Sequence, residues 1–302
     1  MTTSIDTAPA SPVRLPGFEY QRIDVEGVTI NCAIKGAGPP LLMLHGYPEN
    51  HLTWRHVAPA LARHFTVVLA DLRGYGDSGK PASDAAGVAY SKRSMASDQV
   101  GLMRQLGFAQ FQLASHDRGA RVAHRLVLDH PGAVTRLAVL DILPTRHVLD
   151  HVTRAVATAN YFWFFLATDN GIPEHMVAAD PGYWVRAVMG QLLGNDASIE
   201  PEVMEDYIRC FRDQGVIAGS CADMRSALGI DLADDEESFA AGQKVECPLL
   251  VLWGAQSMAA SDPPGIWQQY ATDVRGHALP SGHFLPEEAP DLVTAALRDF
   301  FT

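Results

Sequence analysis

Short apolar runs and longer amphipathic stretches alternate along most of the chain. Val28 to Ile34 alternates in polarity and predicts an early strand. Leu41–Leu44 is a continuous apolar run, the mark of a strand buried on both faces. Phe65–Ala70, Phe111–Ala114, Leu137–Leu140 and Leu249–Leu252 repeat that mark, and helix-like stretches cover Ser91–Gln105, Gly119–Leu128 and Asp291–Phe301. Strand and helix in alternation predict an α/β fold, a mostly parallel, doubly wound sheet with helices on both faces. From about Pro144 to Ala240 the buried-strand runs stop. That segment reads as several helices broken by Gly171, Pro173, Pro181, Gly194 and Pro201. The expected organisation is therefore a flexible arm over residues 1–16, a core over 17–145 and 241–302, and a helical cap over 146–240 inserted between two strands. Loops at the carboxyl ends of such strands collect function, and a helical lid there would shut water out.

Composition narrows the function classes. Of the 302 residues, 47% are hydrophobic and 19% charged, which excludes a disordered chain. Acidic residues outnumber basic ones, 35 to 23, and the net charge of −12 argues against nucleic acid or an anionic membrane as partner. A local pair of arginines could still hold a small anion. Cys32, Cys210, Cys221 and Cys247 form no C-x-x-C pair and read as reduced thiols. The start, MTTSIDTAPASPVR, has neither the basic nor the apolar region of a secretory signal, so the expected location is cytoplasmic. The longest apolar run outside the strands, Tyr161–Ala167, is far short of the roughly 20 residues a membrane span needs.

Two motifs are weaker than they look. Gly74–Gly79 spells G-x-G-x-x-G, but Pro81 and a Pro-Ala-Ser-Asp stretch follow, so no helix opens there to receive a pyrophosphate. Pro81 also stands where a phosphate loop needs Ser or Thr. A tight glycine turn after a strand is the better reading. His147 and His151 are four apart, but Val148 is not the Glu of H-E-x-x-H, so an exposed polar face is expected and no metal.

The chemistry concentrates in Phe111–Arg121. A buried strand ends in Ser115-His116-Asp117-Arg118-Gly119, the small-x-nucleophile-x-small shape of a sharp strand-to-helix turn. The central residue is Asp117, and no G-x-S-x-G occurs in the chain. A carboxylate is ionised at neutral pH and can displace a leaving group from carbon, or open a strained ring, leaving an ester on the enzyme. Cleaving that ester needs a general base. His283, in Gly282-His283-Phe284 after the last strand, suits the task. Asp141, directly after Leu137–Leu140, is the candidate carboxylate to orient it.

These motifs identify a resemblance. His45–Glu49, Asp71–Ser78, His116–Arg121, Val139–Thr145 and Gly282–Phe284 are similar to the motifs of α/β hydrolases of the fluoroacetate (haloacetate) dehalogenase family, relatives of haloalkane dehalogenases and epoxide hydrolases. The resemblance covers about residues 18–302. It implies the α/β-hydrolase fold with Asp117 as nucleophile, His283 as base and Asp141 as acid. Many relatives carry the acid in a W-G-x-x-D setting, where this chain has Trp253-Gly-Ala-Gln-Ser257, which supports Asp141. The resemblance also implies a small carboxylate substrate held by Arg118 and Arg121, an oxyanion site from the N–H groups of Tyr47 and Arg118, and no cofactor or metal. Tyr47 and His116 join the candidate substrate-binding residues through the motifs they occupy, and a homodimer is an open expectation.

The cap departs from the family. Aligning Tyr161–Leu166 on the lid motif puts Phe162 at the halide-binding His and Trp163 at the Trp, and aligning Ser220–Arg225 puts Met224 at the Tyr. Two of three side-chain donors to a departing halide are missing, so weak or absent defluorination is expected, with chloro- or bromo-acids better suited and room for a bulkier acid. The alternative reading is an epoxide hydrolase with the same triad and Tyr161 as a lid donor. A non-catalytic receptor on this fold is disfavoured by the intact triad.

Overall fold

The computed structural model describes residues 12–84, 87–195, 197–258 and 261–302. Eight strands form one sheet: β1 (Glu19–Val25), β2 (Val28–Lys35), β3 (Pro40–Leu44), β4 (Thr66–Ala70), β5 (Phe111–His116), β6 (Val134–Leu140), β7 (Leu249–Gly254) and β8 (Val274–Leu279). Their order is β1-β2-β4-β3-β5-β6-β7-β8. β1, β2 and β4 pair antiparallel in sequence, and every pairing from β4 to β8 is parallel. The strands legible from the sequence are the interior ones. Leu41–Leu44 have no exposed surface, because helices cover both faces of the sheet there. β1 and β8 escaped that reading because they are edges: EYQRIDV and VRGHAL are largely solvated and carry no apolar run.

Helices α1 (Lys92–Gln105) and α2 (Asp117–Asp129) pack together against the sheet, and α11 (Pro290–Phe301) closes the chain. Between β6 and β7 come α3 (Thr145–Asp150), α4 (Arg154–Ala159), α5 (Tyr161–Leu166), α6 (Ile172–Ala179), α7 (Pro181–Leu192), α8 (Pro201–Phe211), α9 (Gln214–Leu228) and α10 (Ile230–Ala240). Of the arm expected over 1–16, residues 1–11 lie outside the described residues. The rest is held rather than loose: Val13 N donates to Asp206 Oδ1 at 3.0 Å and Leu15 is buried. Gly74–Gly79 makes a tight turn and opens no helix. No described helix is long and apolar enough to cross a membrane.

Candidate active site

The site begins where β5 runs into α2 with no residue between them. Asp117 takes φ +45°, a conformation that L side chains adopt only when the surroundings impose it. Asp141, just past the end of β6, is similarly placed at φ +50°. Two glycines make the first turn possible. A Cβ on Gly46 would lie 2.5 Å from Asp117 Cβ, and one on Gly119 would lie 2.4 Å from the His45 carbonyl oxygen. The loop after β3 and the start of α2 therefore close on the carboxylate, and Tyr47 N–H donates to Asp117 Oδ1 at 2.8 Å.

His283 faces the other oxygen. Its Nε2 is 3.6 Å from Asp117 Oδ2, too long for a good hydrogen bond, while its Nδ1 donates to Asp141 Oδ2 at 2.6 Å. Asp141 Oδ1 accepts from Gly254 N at 2.8 Å, and Oδ2 also accepts from Ser257 Oγ at 2.6 Å. Ser257, the last residue of the Trp253–Ser257 stretch, thus turns its hydroxyl to the carboxylate just past β6. Burial would lower the His283 pKa, but the facing Asp117 and Asp141 carboxylates outweigh it and lift it to about 10. Burial would likewise raise Asp117, but His283, His116 and Arg118 hold it below the usual carboxylate range. The resting pair is thus a carboxylate facing an imidazolium.

His116 does not line the cavity, contrary to the expectation that it binds substrate. Its Nδ1 donates to Glu49 Oε2 at 3.0 Å and its Nε2 to the His283 carbonyl at 2.9 Å. Both partners are acceptors, so the ring carries both protons, and Glu49 overcomes burial to raise its pKa. It braces the His283 loop from below. Tyr161 also lies outside the cavity lining, with 42% of its surface exposed. Tyr47, Phe162, Trp163 and Met224 do line the cavity, with Phe162 stacked on Tyr47 at 6.0 Å between centroids.

The two arginines are not equivalent. Arg118 is clamped by Asp223 on α9: Nε reaches Oδ2 at 2.9 Å, and Nη2 reaches Oδ1 at 2.7 Å and the backbone oxygen at 3.0 Å. The same Asp223 carboxylate takes Lys92 Nζ and, at 2.6 Å, the Tyr75 hydroxyl. Arg121 has only neutral acceptors, Thr145 Oγ1 at 2.7 Å and Leu143 O at 3.4 Å, and among the described residues no carboxylate lies within salt-bridge distance. Burial and the neighbouring Arg118 charge lower its pKa to about 10, so it remains a cation near neutrality. Its Cζ sits 4.5 Å from the Trp163 ring centroid, and the buried Trp163 Nε1 has no acceptor. Arg121 is thus a buried guanidinium without a carboxylate partner among the described residues, beside an indole N–H without an acceptor.

Asp223 was missed from sequence because its partners, Arg118 and Lys92, lie more than a hundred residues away; its only signal was its place beside Met224. Removing one member of a buried ion cluster leaves charge uncompensated. Asp223→Asn is therefore expected to lower the unfolding free energy by about 3–5 kcal/mol in urea titrations. A loss below about 1 kcal/mol would mean the clamp carries little of the cap's attachment.

These groups open on a cavity of about 790 Å³ between the strand ends and the cap. His147 and His151 line it, their rings stacked at 4.3 Å and 22°, rather than forming a purely solvated face. The described residues contain no cluster of three metal-ligating side chains.

Residues 39–290 match the family model of the alpha/beta hydrolase fold. A fluoroacetate dehalogenase from Burkholderia sp is 43% identical over 289 residues, 95% of this chain and 94% of that one. The chain is an α/β hydrolase of the fluoroacetate dehalogenase family. This hydrolase is also 32% identical to a soluble epoxide hydrolase of Corynebacterium sp. (strain C12), over 92% of its own length and 95% of the relative's. The crystal structure of ALR0039 from Nostoc sp PCC 7120 superposes with a TM-score of 0.93 at 46% identity, covering 96% of this chain and 99% of that one.

Proposed function

We propose that this hydrolase displaces halide from the α-carbon of a 2-halocarboxylic acid through an ester on Asp117. The observation that carries the proposal is the carboxylate at the elbow, aimed into a cavity whose one uncompensated charge among the described residues is the Arg121 guanidinium. Arg121, assisted by the clamped Arg118, takes the substrate carboxylate and sets the α-carbon in line with Asp117. Asp117 Oδ2 attacks, the carbon–halogen bond breaks as the carbon–oxygen bond forms, and the halide leaves toward Trp163 Nε1. Esterification removes the Asp117 charge that lifts the His283 pKa, so the imidazolium can lose its proton and become a base. Water, activated by His283 and Asp141, then attacks the ester carbonyl. The oxyanion grows on the oxygen that already faces Tyr47 N–H, with the Arg118 N–H as second donor. The tetrahedral carbon then expels the substrate oxygen, to which His283 returns the proton it took from water, and the products are a 2-hydroxy acid, halide, the restored carboxylate and the one proton that the imidazolium gave to solvent.

Phe162 and Met224 give the departing ion no hydrogen bond. Losing one donor to developing charge costs about 10²–10³ in rate, and fluoride, small and strongly hydrated, needs such donors most. Chloride release from chloroacetate is expected to exceed fluoride release from fluoroacetate at least about 100-fold in kcat. Comparable rates would overturn the reading of the lid. An epoxide hydrolase with the same triad requires a lid donor for the epoxide oxygen. Tyr161 outside the lining and Met224 in the second position argue against it, so styrene oxide is expected to give no diol in the same assay.

A further inference from the structure

The cavity is far larger than a two-carbon acid requires. Its volume of about 790 Å³ falls in the range of roughly 300–1,000 Å³ that holds drug-sized ligands. The anion-binding groups, Arg118, Arg121 and Trp163, account for one end of it. The apolar part of the remaining wall is Val148 on α3, Ala155, Val156 and Ala159 on α4, and Leu192 and Leu193 at the end of α7, with Gln191, Asn195 and Gln256 as polar neighbours. α4 is the informative wall. No residue of this helix is buried, so its apolar side chains do not serve the core. Ala155, Val156 and Ala159 share one face of the helix by spacing, and that face lines the chamber. A helix that turns its apolar face to a cavity rather than to a core leaves that face to be covered by what enters the cavity. The stacked rings of His147 and His151 also belong to the lining. Phe162 and Met224 extend the apolar lining to the neighbourhood of Asp117, where polar donors would have favoured a small, hydrated substrate.

We propose that the substrate is a 2-halocarboxylate bearing a bulky apolar substituent of about the size of a benzyl group, seated against α4 and the ends of α3 and α7. The inference rests on the dehalogenase reading and specifies its substrate class. With the carboxylate on Arg121 and the halogen toward Trp163, the α-carbon's remaining substituent has the rest of the chamber. The bond changes are those of the smaller acid: the carbon–chlorine bond breaks as the Asp117 oxygen–carbon bond forms, and chloride leaves.

The test compares chloroacetate with racemic 2-chloro-3-phenylpropanoate by chloride release from the full chain. A single methylene in an apolar pocket is worth about 10–200-fold in kcat/KM, so the phenyl acid is expected to be favoured at least about tenfold. Equal or better turnover of chloroacetate overturns the proposal and leaves the dehalogenase reading intact. Chloride from neither acid overturns both. Ala159→Trp fills the chamber from α4 and is expected to cut the preference at least about tenfold. Because the two acids are compared within one preparation, a folding defect lowers both rates and leaves the ratio alone. An unchanged ratio overturns the placement of the tail on α4.

Discussion

With His283→Gln, one equivalent of halide per enzyme is expected, followed by a stop. Alkylation of Asp117 needs no proton transfer, so the first step survives loss of the imidazole. Hydrolysis of the ester needs a base held beside it, and among the described residues His283 is the imidazole placed against Asp117 while Asp141 holds its Nδ1 proton. Steady-state turnover should fall about 10⁴-fold or more, as it does when members of a catalytic triad are removed. With chloroacetate, mass spectrometry should find the enzyme heavier by one carboxymethyl group, on the peptide that contains Asp117. Sustained turnover, or no halide at all, would contradict the division of labour between the two residues.

Asp117→Ala should fail earlier. Without the carboxylate there is no attacking oxygen, and halide should fall below even the single equivalent released by the His283 variant. The side chain removed is also the charge that lifts the base. In this variant the His283 pKa, followed by NMR of the imidazole, should drop from about 10 toward the ordinary value, since burial then opposes protonation with only Asp141 to counter it. That shift reads the electrostatics independently of turnover. A His283 titration unmoved by the substitution would mean that the two groups are not coupled as their separation implies.

The sequence was most legible where burial was two-sided. β3 and β7 appear as unbroken apolar runs because helices cover both faces, whereas β1 and β8, solvated along one edge, have no such signature. The elbow was legible for a steric reason: only small residues fit around Asp117, and the close approaches at Gly46 and Gly119 are the physical form of that pattern. Asp141 followed from ending a strand. What could not be read were partnerships across the cap. Nothing local to Arg118 shows that Asp223 will neutralise it while Arg121 is left without a carboxylate, and the proposed carboxylate site rests on that asymmetry. His116 sits in the motif beside Asp117, yet strand alternation turns its ring to the opposite side, under the His283 loop. Tyr161 opens the helix on its exposed side, whereas the next two residues, Phe162 and Trp163, turn to the cavity. The His147–His151 pair was assigned to solvent because i, i+4 spacing describes a face without saying what the face meets.

The central claim is the ester on Asp117, and a single turnover in ¹⁸O-water, with enzyme in excess over chloroacetate, tests it most directly. Hydrolysis of an ester at its carbonyl leaves the heavy oxygen in the Asp117 carboxylate and gives glycolate without label. Label in the glycolate, with an unlabelled Asp117 peptide, would mean that water attacks the carbon directly and that the carboxylate never forms the bond.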